Sequence, residues 1–91
     1  MRPYRIKHIP TGLYFTPGWC RTNLSFKGKI YKSKLNVLDY YWYGLIPIVI
    51  FRKSKVAEVC KKVIPRLSDI LSKYDSYKAV LPASEFELEY L

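Results

Sequence analysis

The chain has 91 residues and carries 16 Lys and Arg against 7 Asp and Glu, a formal charge of +9. That length fits a single domain, residues 1–91, with little core to spare. Two cysteines far apart in sequence and one histidine are too few for the four ligands of a structural zinc site, and no cofactor motif is visible.

Residues 4–15 predict a β-hairpin. Tyr4, Ile6 and His8 alternate with Arg5 and Lys7, the period of a strand with one wet face. Pro10-Thr11-Gly12 breaks the run, because proline presets the first turn position and glycine accepts the left-handed one. Leu13-Tyr14-Phe15 is the return strand, ended by Pro17-Gly18. Further on, Lys27-Gly28 offers a second turn, and a short strand is expected near 29–33.

Tyr40 to Phe51 (YYWYGLIPIVIF) is the most apolar window. As a helix it would rise only about 18 Å against a hydrocarbon core of about 30 Å, so no membrane span is expected. Leu45 to Phe51 reads instead as a central strand covered on both faces for most of its length. Pro47, unable to donate a ladder hydrogen bond, belongs at its start or on an edge.

Helix follows. Ser54 is placed to accept from the first free N–H groups. Val56, Val59, Cys60, Val63, Leu67, Ile70, Leu71 and Tyr74 recur at three- and four-residue spacing, one apolar stripe over five turns. Pro65 removes a helix hydrogen bond and crowds the preceding turn, which predicts a kink, or two helices of roughly 55–63 and 66–74. At the end, Phe86, Leu88 and Tyr90 alternate with Glu85, Glu87 and Glu89. Three like charges on one strand face need cationic neighbours. The first strand is the other one with alternating charges, so the last should pair beside it and neutralise Arg5 and Lys7. The fold class is α+β: a small antiparallel sheet of about four to five short strands, with one kinked (Pro65) amphipathic helix packed on one face.

Charge is distributed unevenly. Eight basic residues precede the first acid, Asp39. An acid-free basic half implies an anionic partner such as nucleic acid, an acidic protein surface or anionic lipid. With Arg5 and Lys7 neutralised, the usable cations are Arg21, Lys27, Lys29, Lys32 and Lys34, joined by Lys61, Lys62 and Arg66 on the helix. Tyr40, Tyr41, Trp42 and Tyr43 follow as an aromatic contact. Basic tracks beside flat rings are the chemistry of single-strand binding. Catalytic chemistry is sparse. His8 sits in an ordinary strand, a salt-bridged row explains Glu85, Glu87 and Glu89, and no phosphate loop is present. The expectation is a non-enzymatic protein without a metal. Cys20 and Cys60 read as reduced thiols, and Met1-Arg2-Pro3-Tyr4 shows no apolar signal stretch, so a cytoplasmic protein is expected.

Lys7 to Phe15 (KHIPTGLYF), Thr22 to Tyr31 (TNLSFKGKIY) and Leu81 to Leu91 (LPASEFELEYL) resemble the two ends of small uncharacterised accessory proteins of large tailed bacteriophages. The resemblance covers about half the chain, leaves out the aromatic centre and brings no activity. It implies a host-takeover or anti-defence factor in the host cytoplasm, binding nucleic acid or a nucleic-acid-handling host complex. The alternative is a protein–protein inhibitor or a small virion or assembly component that uses the 40–51 segment as its contact.

Overall fold

The alternation of Tyr4, Ile6 and His8 with Arg5 and Lys7 becomes strand β1 (Tyr4–His8) in the computed structural model, which describes residues 2–18, 21–32 and 44–91. The core-facing set is buried and the charged set half-buried. Gly12, at φ +72°, closes the expected turn, and its N–H donates to the His8 carbonyl at 2.8 Å. β2 (Leu13–Phe15) returns antiparallel, and β3 (Leu24–Ser25) pairs with its far side. β3 lies before the Lys27-Gly28 turn. Of the strand expected near 29–33, the described residues 29–32 form one bridge, Tyr31 to Tyr4, with mutual backbone bonds of 2.8 and 2.9 Å.

β4 (Leu45–Phe51) pairs with β5 (Ser76–Pro82) over seven residue pairs, and β6 (Phe86–Tyr90) joins β1. The described strands therefore form two antiparallel sheets, one ordered β3-β2-β1-β6 and the other β4-β5. This differs from a sheet of four to five strands because β4 has its own partner on one edge. Its other edge is met by residues 22–23. Asn23 N–H donates to the Val49 carbonyl, Val49 N–H to Asn23 Oδ1, and Phe51 N–H to Thr22 Oγ1, at 2.9, 2.9 and 3.0 Å. Pro47 shares the parity of Val49 and Phe51, so its missing donor falls on that edge and costs no bond to β5.

Pro65 breaks the helical run outright. Ile64, the residue before it, is extended at φ −90° and ψ 114°, and Arg66 turns left-handed at φ 66°. Of the two outcomes expected at Pro65, one kinked helix does not form and two helices of seven residues each do, α1 (Ala57–Val63) and α2 (Leu67–Lys73). Ser54 Oγ accepts from Val56 N–H at 3.2 Å, in the turn leading into α1. From the apolar stripe Val56, Cys60, Leu67 and Leu71 are buried, joined by Ala57 and Ile64. Tyr74 is not. The backbone turns extended there and leaves its ring 64% exposed.

One cluster of buried side chains joins both sheets and both helices. It takes Tyr4 and Ile6 from β1, Leu13 and Phe15 from β2, Ile46, Ile48 and Ile50 from β4, Ala79 and Leu81 from β5, and Phe86 from β6. β4 fully buries one face, whereas on the other Leu45 and Pro47 are exposed and Val49 and Phe51 half-buried, where cover on both faces is expected from the sequence. Among the described residues no helix is long and apolar enough to cross a membrane.

Candidate polyanion-binding groove

The outer face of the larger sheet is excluded first. β6 lies against β1 in the register Arg5↔Glu89 and Lys7↔Glu87. Arg5 Nη2 binds Glu89 Oε1, and Lys7 Nζ lies 4.0 Å from Glu89 Oε2. Tyr14 donates to both Glu89 oxygens at 2.9 Å, and the Arg5 guanidinium sits 4.0 Å above its ring. The Arg5 hydrogen bond, seconded by that of Tyr14, holds the Glu89 carboxyl below its ordinary range. The hydrogen bond to Glu89, followed by burial, raises the Tyr14 phenol. Glu85 leaves the row expected of it. A 3-10 turn (Ala83–Glu85) precedes β6 and directs the Glu85 carboxylate to His8, Oε1 to Nε2 at 2.9 Å. The His8 ring is fully buried, and its Nδ1 meets Thr11 Oγ1 at 2.8 Å, so both ring nitrogens are engaged within the fold.

Unpaired positive charge gathers elsewhere. Between the turn after β3 and the turn from β4 to α1 lies an open groove of about 860 Å³. Among the described residues its cations are Arg21, Lys53 and Lys55, its hydroxyls come from Thr16, Thr22, Ser25 and Ser54, and no carboxylate lines it. None of these three cations has an ion-pair partner among the described residues. Leu24, Phe51 and Val56 contribute apolar surface, and Phe26, 61% exposed, stands at the rim.

Both walls are fixed by local chemistry. On the first, Gly28 takes φ +67° and packs so closely on β2 that a Cβ there would lie 2.3 Å from the Tyr14 Cβ. Its N–H donates to Ser25 Oγ at 2.8 Å, Ser25 Oγ meets Thr16 Oγ1 at 2.6 Å, and Lys29 N–H donates to the Phe15 carbonyl at 3.2 Å. Phe26 thus projects from a turn pinned at both ends. On the second wall Ser54 N–H donates to the Phe51 carbonyl at 3.0 Å. Arg52 turns aside to Asp75, which leaves Lys53 and Lys55 for the groove. The Thr22 and Asn23 bonds to β4 join the walls at the base.

Of the cations expected from sequence, Arg21 lines this groove and Lys27 is exposed in the turn between Phe26 and Gly28. Lys29 lies 5.1 Å over the Tyr31 ring, and Lys32 is exposed next to it. The helical cations are not part of the groove lining. Lys61 binds Glu58 at 2.9 Å, Lys62 is exposed on α1, and Arg66 lines a separate hollow of about 440 Å³ with Asp69 and Lys73. Lys34, Tyr40, Tyr41, Trp42, Tyr43 and Cys20 lie outside the described residues. Lys53, Lys55 and Phe26 were not among the expected site residues. The run Arg52-Lys53-Ser54-Lys55 between a strand and a helix was the available signal for the first two. Among the described residues no group of three His, Cys, Asp or Glu is arranged to hold a metal ion. No protein-family model, curated protein or solved structure matches the chain.

Proposed function

We propose that this chain is a non-enzymatic binding protein whose basic face contacts nucleic acid, or a nucleic-acid-handling host complex, and that it serves as a phage accessory factor in the host cytoplasm. The observation that carries the binding reading is the groove with Arg21, Lys53 and Lys55 on its walls and no carboxylate among its described lining residues. Exposed Lys27 and Lys32 extend the same sign of charge along the chain. The phage setting rests on the resemblance at the two ends of the sequence.

Salt titration of binding to labelled DNA and RNA tests the reading. Each phosphate neutralised lowers log affinity against log salt by slightly less than one. Lys53→Gln with Lys55→Gln should flatten that slope by up to about two. Absence of binding near about 50 mM salt would reject the reading.

A second reading has one observation in its favour. The outer face of the β4–β5 ribbon exposes Leu45 (48%) and Val80 (55%) beside Pro47 and Pro82. A protein–protein inhibitor or a virion or assembly component would use such a face together with the 40–51 segment. Affinity nearly independent of salt would favour it.

A further inference from the structure

Phe26 is the most exposed apolar side chain at the groove, and its surroundings make that informative. The ring is 61% exposed, on a turn fixed by Gly28, Ser25 and Thr16. An aromatic ring held out in water beside three cations without an ion-pair partner among the described residues offers two different contacts a short distance apart. A flat apolar surface can lie on its face, and anionic oxygens can reach Arg21, Lys53 and Lys55. A nucleotide carries both parts on one framework.

We infer that the groove holds an unpaired stretch of nucleic acid, with a base stacked on Phe26 and its flanking phosphates on Arg21, Lys53 and Lys55. This rests on the nucleic-acid reading above and narrows it. In a duplex both faces of each base are covered by neighbours, so Phe26 gains nothing from double-stranded partners except at their ends. A single strand presents free base faces, and stacking on an aromatic ring is indifferent to base identity. The cations act on either form. The structure therefore assigns two separable contributions: a charge contribution from the lysines and Arg21, common to all nucleic acids, and a stacking contribution from Phe26, confined to single strands. The hydroxyls of Thr22 and Ser54 accept from backbone N–H groups, and each keeps its own proton to donate to a phosphate oxygen. The volume of about 860 Å³ falls within the usual range for small ligands, about 300–1,000 Å³, which suits one or two nucleotides rather than a helix.

The test uses fluorescence anisotropy with labelled oligo(dT), oligo(U) and a blunt DNA duplex of equal length, read across a salt series. Phe26 is exposed, so Phe26→Ala leaves the fold intact, and Phe26→Tyr keeps the ring. The expected result is tighter binding of the single strands than of the duplex. Phe26→Ala should lower single-strand affinity about 5- to 150-fold without changing the salt slope. It should leave duplex affinity unchanged, and Phe26→Tyr should bind as the wild type does. Lys53→Gln with Lys55→Gln should weaken all three probes and flatten their slopes. Comparison of oligo(dT) with oligo(U) identifies the sugar the groove accepts, and preferential binding of either supports the inference. Equal affinity for duplex and single strands, with Phe26→Ala silent, would overturn the stacking site while the polyanion reading stood. Failure of every probe to bind at low salt would overturn both.

Discussion

His8 and Glu85 stand 77 residues apart in sequence and 2.9 Å apart in space, Nε2 to Oε1. Thr11 closes the other side of the ring at 2.8 Å, and Phe86 packs 4.8 Å from it, centroid to centroid. The imidazole, itself without exposure to water, thus ties the first turn to the approach of β6. A buried polar ring is tolerable only while its partners remain.

His8→Ala removes the ring contacts and leaves Thr11 and Glu85 without their shared partner, at an expected cost of about 2–4 kcal/mol. Glu85→Gln keeps an oxygen for the ring and should cost about 1 kcal/mol. Urea unfolding checks both, and an unchanged midpoint for His8→Ala would contradict the described burial.

Leu67 and Ile70 occupy the same stripe in sequence but different surroundings in space. Leu67 is fully buried and Ile70 only half. Leu67→Ala should cost about 2–5 kcal/mol. Ile70→Ala should cost about 1–2 kcal/mol, because part of its side chain is already wet. Equal melting curves for the two variants would place the α2 face wrongly.

Glu89 carries the acid sensitivity of the β1–β6 pairing. Its carboxyl lies below its ordinary 4.5, chiefly through Arg5 and then Tyr14. A group whose pKa is depressed by folding stabilises the fold above its unfolded value and loses that contribution as pH falls through the folded one. The stability difference between wild type and Glu89→Gln should therefore be present near neutrality and shrink below pH 4.5. Chemical denaturation at a series of pH values measures it, and a gap that persists undiminished into strong acid would refute the assignment.

Cys60 behaves in the opposite sense. It is fully buried, and burial pushes its thiol from 9.0 up to about 11. The stabilisation is complete below 9.0 and is lost as pH rises through about 11. Native protein should react slowly with a maleimide at neutral pH, and denatured protein quickly. Reaction of Cys60 at the denatured rate in the folded protein would show that α1 is not packed as described.

Where a local rule and a covalent constraint agreed, the sequence was readable. The charge alternation in residues 4–8 and 85–90 implied their pairing, and Arg5↔Glu89 realises it. Pro65 announced a kink or a break, because its ring removes a helix hydrogen bond and crowds the preceding turn. β5 was not foreseen. Tyr77, Ala79 and Leu81 do point inward, but Lys78 is the only charged residue between them, and Val80 blurs the alternation. The outward face of β4 was hidden for the same reason, since Leu45 and Pro47 look as apolar as Ile46 and Ile48 do. The groove was legible in part. Arg21 stood out by charge, whereas its meeting with Lys53 and Lys55 depends on Asn23 and Thr22 bonding to β4, a long-range contact that no local pattern encodes.

The pairing of β1 with β6 also bears on how the chain reaches its fold. The second strand needed to place β1 in the interior of its sheet is β6, which follows every other described strand in the chain, and Leu91 N–H donates to the Pro3 carbonyl at 2.9 Å. Until β6 pairs, the first hairpin has one edge open and His8 lacks its Glu85. Closing so long a loop is entropically slow compared with forming the helices. A ribosome-tethered chain released only as far as residue 84 should hold helices α1 and α2 without protected amides in β1. Completion of the last strand then converts it in one cooperative step.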